Sequence, residues 1–407
     1  MLRQERMQRI LFSVCLVVVM VPGAVWSTPR EVSDVLRDFE DLTSEIFEQV
    51  SPGVVGLKVK VWSPRMVEVE GDGRAIKIVG TFHVPDASKE PLVLHATAGG
   101  LAPGSAPRIP AQAVDRYGTG LLIDNEGHIV TSYQLVRDST QGSEMVAISE
   151  TGREIPARLE AWDALTNIAV LTSPEVAGRP VEFGLSMADN VRQLRVGSSV
   201  FCIARPYGMP NSAYFGIVSG LDRQVGQVRY ERLVQTTIPL HPGSNGAPLL
   251  DRRGLVVGMM SCTLKQAGWG EVSFAIPSDM LYRVVEQLMA DGRVARGFLG
   301  VRVIDKEQLA QLRDPRFRNL PVDAGAVVRE VIARSPADRA GIRSRDIIVG
   351  VGSWEVRDLS SLVWAMDEIP PGNRVPVTVL RDGGEKIIQV LVDELPAGLE
   401  QADHMPR

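Results

Sequence analysis

The chain is poor in cysteine, has no histidine at metal-ligand spacing, no block of one charge and no apolar run long enough to span a membrane as a helix. Three cysteines cannot supply the disulfide framework on which small secreted folds rest. Cys202 and Cys262 sit in apolar stretches, Val200-Phe201-Cys202-Ile203 and Met259-Met260-Ser261-Cys262. Two buried thiols suit that setting better than a disulfide, although spacing alone leaves pairing open. His83, His95, His128, His241 and His404 are scattered, with neither HExxH nor CxxC, so no metal centre and no cofactor are expected. Lys plus Arg is 44 against 49 acidic residues, and the net charge of −5 carries no basic block. Nucleic acid is therefore not an expected partner.

What is present is length and apolar content. At 407 residues and 44% hydrophobic composition, the chain can build two or three domains with sizeable cores. Met1 to Arg9 is a positive stretch followed by the apolar run Ile10 to Val21 and a turn at Pro22-Gly23, the shape of an export signal. The run is shorter than the ~20 residues of a spanning helix. Val25 and Ser27 suit a cleavage site, so residues 1–27 are expected to be a signal peptide, with Cys15 lost among them, or an uncleaved N-terminal membrane anchor. Either reading puts the body of the protein outside the cytoplasm, in the periplasm or another extracytoplasmic space.

Short Val-, Ile- and Leu-rich runs, broken by Gly, Asp, Asn and Pro every 8 to 12 residues or so, fill Val54 to Ile276 and point to an antiparallel barrel or sandwich. Leu121 to Ile123, the turn Asp124-Asn125-Glu126-Gly127 and His128 to Val130 read as a hairpin, as do Leu249-Leu250 and Leu255-Val256-Val257 about Asp251 to Gly254. The Gly-, Pro- and Ala-rich segment 63–117 reads as a long loop, with a hairpin of its own expected over Ala75 to Val84. The period then changes. Ser278 is a suitable N-cap, Leu281, Val284, Val285 and Leu288 recur at helical spacing, and Gly292 can end the helix. A second, small α+β domain is expected over 293–395, with a helix from Asp358 carrying Leu362, Val363 and Met366, and a tail over 396–407.

Three ordered stretches resemble the HtrA family of trypsin-like serine proteases. Gly118-Thr119-Gly120-Leu121-Leu122-Ile123 and Thr131-Ser132-Tyr133-Gln134-Leu135-Val136 resemble its GSGFII and TNxHVV segments, Asp163 to Leu171 its DxxxDIALL, and Pro242-Gly243-Ser244-Asn245-Gly246-Ala247-Pro248 its NPGNSGGP loop. The resemblance implies a mainly β fold, a chymotrypsin-like double β-barrel over 28–292 followed by a PDZ domain. It also places Gln134, Asn167 and Asn245 where the family has its catalytic His, Asp and Ser. A nucleophile must be a hydroxyl or thiol, its proton must pass to an imidazole, and a carboxylate must stabilise the imidazolium. Amides do none of these. Ser244 stands one residue before the nucleophile position, a shift that re-aims a side chain on a tight loop, and His241 is a lone histidine suited to a structural hydrogen bond. The backbone N–H groups of Gly243 and Asn245 fall where the family forms its oxyanion hole, so the loop either still holds a carbonyl or has collapsed.

Arg296-Gly297-Phe298-Leu299-Gly300-Val301 resembles the family's RGYLGV loop, and Gly325 to Ile348 its GAxVxxVxxxSPAxxAGIxxGDII, with Arg345 at the usual Gly. The resemblance implies that N–H groups of Phe298, Leu299, Gly300 and Val301 receive a peptide carboxylate beside Leu362, the last side chain packing between Phe298, Val301 and the Leu362 helix. A purely structural PDZ fold is the alternative. Two functions follow. One is an inactive protease homologue that binds polypeptide C-termini or unfolded exported proteins, alone, as a trimer or with an active HtrA paralogue. The other is an HtrA serine endopeptidase of weak or unorthodox activity. The apolar face Phe39, Leu42, Ile46 and Phe47 serves either self-assembly or internal packing.

Overall fold

The computed structural model describes residues 32–63, 76–78, 94–96, 112–139, 144–176, 194–226, 230–266, 270–304 and 325–396. The expected signal or anchor over 1–27, the tail from 397 and most of the 63–117 segment lie outside the described residues. The chain divides into two compact units, 1–45 and 46–407. Helix α1 (Val32–Val50) begins in the first. On its expected apolar face Phe39 is exposed and Ile46 buried. No helix among the described residues is long and apolar enough to cross a membrane.

In the second unit, β1 (Val54–Ser63) pairs antiparallel with β4 (Gln112–Leu122) over ten residues, from Val54 opposite Leu121 to Ser63 opposite Gln112. Between them, β2 (Ile76–Ile78) pairs with β3 (Leu94–Ala96). The hairpin expected over Ala75 to Val84 is thus wider, its return strand lying beyond position 84. The expected loop also ends before 117, because alternation through Gln112 to Tyr117 lets that stretch pair with β1. The hairpin β4–β5 (His128–Ser132) forms as the sequence indicates, with Leu122 opposite Ile129. Helix α2 (Tyr133–Val136), β6 (Met145–Ile148), β7 (Glu154–Pro156), β8 (Arg158–Asp163) and β9 (Ile168–Thr172) complete a seven-stranded sheet ordered β7-β6-β1-β4-β5-β9-β8. One face buries Val55, Leu57, Val59, Leu122, Ile129, Ala169 and Leu171.

A closed barrel follows, with β10 (Ser199–Ala204), β11 (Ser212–Arg223), β12 (Leu233–Thr236), β13 (Pro248–Leu250), β14 (Val256–Gln266) and β15 (Gly270–Pro277) in the order β10-β11-β12-β15-β14-β13. Hydrogen bonding closes the second barrel only, so the first half is barrel-like without a closed path among the described residues. Cys202 and Cys262 are free, buried thiols, and burial pushes each up to about 12.

Helix α3 (Ser278–Asp291) lays Met280, Leu281, Val284, Val285 and Leu288 on a core shared with Val130, Ile168 and Val170 of the first half and Leu233, Met259 and Ile276 of the second. At roughly 1.5–3 kcal/mol per buried side chain, this helix is a principal tie between the halves. Gly292, at φ 69°, ends it in the left-handed conformation. Its N-cap is Pro277; Ser278 is the first helical residue, with a buried hydroxyl that caps nothing. The β15 strand runs one residue further than the polar side chain suggests, which displaces the cap.

The C-terminal domain comprises β16 (Gly297–Phe298), β17 (Val301–Ile304), β18 (Ala326–Val331), α4 (Pro336–Ala340), β19 (Ile347–Val351), β20 (Trp354–Glu355), α5 (Leu359–Glu368), β21 (Arg374–Arg381), β22 (Gly384–Leu391) and β23 (Asp393–Glu394). Its sheet runs β17-β18-β19-β21-β22, leaving β17 at an edge, and its core gathers Leu299, Val328, Ile348, Val351, Leu362, Met366 and Val379. Asp358 caps α5 in a reciprocal capping box with Ser361. Leu362 and Met366 face this core, whereas Val363, about 100° round the helix, packs with Phe298 on a cluster of Leu165, Tyr230 and Leu395.

Candidate functional site

The three positions singled out by sequence converge on the seam between the two halves. Thr119 on β4 ties the loop 241–246 to the first half: its N–H donates to the Asn245 carbonyl (2.9 Å) and its hydroxyl to the Gly243 carbonyl (2.8 Å). Its own carbonyl accepts from the Thr131 hydroxyl at 2.7 Å, three residues before Gln134. Gly246 belongs to this contact. At φ 89°, a Cβ there would lie 2.0 Å from the Thr119 carbonyl oxygen, so a larger residue would force the loop off the seam.

Asn167 sits at φ 63°, in the left-handed region that asparagine tolerates, on the turn between β8 and β9. The side chain is buried, with both its oxygen and its nitrogen hydrogen-bonded. Its Oδ1 accepts from the Gln134 N–H (2.8 Å) and the Ser132 hydroxyl (3.1 Å), and its Nδ2 donates to Ser261 Oγ on β14 (2.9 Å). The adjacent Tyr133 N–H donates to the Asn167 carbonyl. The ring of Tyr133 stacks on Trp162, 6.3 Å between centroids, and burial raises its phenol. The backbone of 134 and 245 and the side chain of 167 therefore lie along one seam, and all three residues are amides.

Ser244 lies beneath the loop, 2% exposed, its hydroxyl without a hydrogen-bond partner among the described residues. A serine nucleophile needs an imidazole to take its proton, and none hydrogen-bonds this oxygen among the described residues. The His241 ring packs against Tyr214, 6.0 Å between centroids, and its carbonyl accepts the Ser244 N–H, which is a structural role. Gly243, at φ 92°, and Asn245 donate their N–H groups to no backbone carbonyl among the described residues.

In the C-terminal domain Gly300 stands at φ 79° between β16 and β17, close enough to Ser335 that a Cβ would meet it at 2.2 Å. Its carbonyl accepts from the Ile332 N–H and the Ser335 hydroxyl, and that of Leu299 from the Ala337 N–H. The N–H groups of Leu299 and Gly300 have no backbone acceptor among the described residues. Phe298 is half-buried against the Leu165 cluster, Val301 opens the edge strand, and Leu362 lines the core beneath.

Sequence reasoning missed the residues that join these parts. Thr119 and Ser261 act through contacts long in sequence, which spacing does not reveal. Arg296 is 1% exposed and bonds to Asp163 and Asp367, with Tyr230 under its guanidinium at 4.5 Å. Burial opposes its charge and Asp163 more than restores it, so its pKa is raised. A further grouping escaped the spacing rules, as Asp124, Glu126 and His128 place one ligand-type atom each within 4.8 Å. Turn hydrogen bonds account for it, since Asp124 Oδ1 accepts the N–H groups of Glu126 and His128 and its other oxygen meets the His128 ring.

Residues 118–259 match the trypsin-like peptidase domain family and residues 297–392 the PDZ domain family. A probable periplasmic serine endoprotease DegP-like of Chlamydia trachomatis serovar D is 34% identical over 283 residues, covering 69% of this chain and 54% of that protein. Another of that name from Ectopseudomonas mendocina is 28% identical over 383 residues, covering 93% and 75%. The chain spans about half the length of the first of these. Among solved structures, the HtrA-type protease AlgW with decapeptide superposes with a TM-score of 0.62 at 23% identity, covering 87% of this chain and 99% of that one. The serine endoprotease from Yersinia pestis does so with 0.56 at 20%, covering 91% and 100%.

Fold and matches together define a trypsin-like peptidase domain joined to one C-terminal PDZ domain. That is the domain arrangement of the HtrA-type proteases.

Proposed function

We propose that this protein is an exported polypeptide-binding member of the HtrA type whose peptidase half does not hydrolyse peptide bonds. The observation that supports the reading is the seam itself, where the Gln134 N–H meets the Asn167 side chain and the Asn245 carbonyl meets Thr119, so that each of the three positions carries an amide residue. None can attack a carbonyl, take up the proton or stabilise an imidazolium. Residues 1–27 are read as the export signal or anchor, in keeping with relatives named periplasmic. Binding is assigned to the edge of β17 and the loop Phe298 to Val301, where a peptide would add as a strand and its carboxylate would meet the N–H groups of Leu299 and Gly300. Incubating the purified chain with fluorescent β-casein and with a serine-reactive fluorophosphonate tests this. Neither hydrolysis nor labelling is expected.

The relatives' names support a second reading, an HtrA serine endopeptidase working with unorthodox residues. Labelling at or near Ser244, or casein turnover that copurifies with the chain through successive columns, would establish that reading instead.

A further inference from the structure

The C-terminal domain carries arginines on backbone that disfavours them. Among the described residues, six non-glycine residues have φ in the left-handed region, and two of these are Arg334 (φ 64°) and Arg345 (φ 77°). Glycine occupies that region without penalty, whereas any residue with a Cβ is strained there. A third arginine, Arg329, is the extra residue of a β-bulge: Arg302 lies opposite Glu330 and Val303 opposite Val328, which leaves Arg329 without a counterpart on β17. With Arg343 these side chains are exposed.

They also lie close together. The Arg345 N–H donates to the Val328 carbonyl and the Ser344 hydroxyl to the Arg329 carbonyl, so 343–345 runs beside Arg329. Arg334 and Arg343 flank the five-residue helix α4 on its two sides. The carboxylates nearby are already engaged. Arg381 holds buried Asp346 through two bonds of 2.7 Å, Arg339 holds Asp393, Arg302 pairs with Glu330 at 3.8 Å, and Asp338 accepts the Arg334 N–H. Arg329, Arg334, Arg343 and Arg345 have no ion-pair partner among the described residues.

We infer that Arg329, Arg334, Arg343 and Arg345 form a docking surface for an acidic polypeptide segment, separate from the β17 edge. Backbone strain that glycine would relieve is retained where it puts unpaired guanidinium groups in solvent. The planar guanidinium fork suits carboxylates in two-pronged contact. Among the described residues, the exposed large apolar side chains of this domain, Trp354, Ile387 and Leu391, lie on other strands, which favours a polar partner over a bilayer.

The test uses the full chain and a fluorescent glutamate-rich peptide with an amidated C-terminus, which has no terminal carboxylate to offer to the loop Phe298 to Val301. Anisotropy should report binding at about 50 mM salt that weakens several-fold at about 200 mM. In R334G/R345G, binding should fall at least about tenfold while the thermal midpoint rises by roughly 1–4 °C. R329A/R343A, which leaves the left-handed positions untouched, should lose affinity similarly. Absence of binding by the parent chain, affinity in both variants unchanged from the parent or a lowered midpoint in R334G/R345G overturns the proposal. So does capture of the chain on equimolar phosphatidylglycerol–phosphatidylcholine vesicles with no binding of the peptide, which would make this a lipid surface.

Discussion

Arg296 joins two carboxylates that belong to different domains: it donates to Asp163 at 3.0 and 2.6 Å and to Asp367 at 2.9 Å. Asp163 also accepts from Thr166, one residue before Asn167, and Asp367 also receives Arg283 from α3. The PDZ helix α5 is thereby fastened to the turn that presents Asn167, with the Trp364 indole donating to the Glu231 carbonyl as a second tie. Arg296→Met would leave two buried carboxylates without their shared cation. The expected loss is about 3–5 kcal/mol, read from guanidinium chloride unfolding, and a change below about 1 kcal/mol would show that the network is not integral to stability.

The seam retains much of what a reactive site needs. In Asn167→Asp the carboxylate would take over the hydrogen bonds from Ser132 and the Gln134 N–H, and it would accept from the Ser261 hydroxyl. The triple substitution Gln134→His, Asn167→Asp, Asn245→Ser should therefore gain fluorophosphonate labelling by at least about a thousandfold over the parent chain. A folded triple variant that stays unlabelled would mean that the N–H groups of Gly243 and Asn245 are not set to receive an oxyanion.

Peptide capture by the edge of β17 should depend on a free C-terminus. Amidating a bound peptide should weaken it about ten- to a hundredfold, because a charge-assisted hydrogen bond is worth about 1.5–3 kcal/mol. Gly300→Ala should act from the protein side, since its Cβ would strike Ser335 and φ 79° is strained for alanine. Calorimetry with both peptide forms reads both effects, and equal affinities would assign the PDZ domain a structural role.

Stability should fall on the alkaline side through the thiols. Cys202 and Cys262 rise from 9.0 to about 12 on folding, so folding favours their neutral form. That contribution is complete below pH 9 and is lost as the pH climbs toward 12, at about 1.4 kcal/mol per pH unit for each thiol. Cys202→Ala/Cys262→Ala should flatten the slope of unfolding free energy between about pH 9 and pH 11, and native thiols should resist Ellman's reagent at neutral pH.

Local signals carried the fold a long way. The turn residues Asp124 to Gly127 and Asp251 to Gly254, the spacing of Leu281 to Leu288 and the stop at Gly292 all lie within one element, and each is found where it was read. Ser278 has the side chain of a cap without being one, because capping depends on where the preceding strand lets go. Gln134, Asn167 and Asn245 could be picked out by their resemblance to an ordered set of motifs. Thr119, Ser261 and Arg296 could not, since a hydroxyl or guanidinium becomes notable only when a partner 71 residues or more away is brought to it.

The pairing of Ser63 with Gln112 leaves the intervening chain leaving and re-entering the sheet at neighbouring points. Closing such an excursion costs entropy that grows only with the logarithm of its length, about 0.6 kcal/mol per doubling. Ten register pairs between β1 and β4 hold its two ends whatever that length is. The closure term alone therefore sets little limit on the length of chain carried between Ser63 and Gln112, and that is where an experimenter would graft a reporter, an affinity tag or a foreign loop.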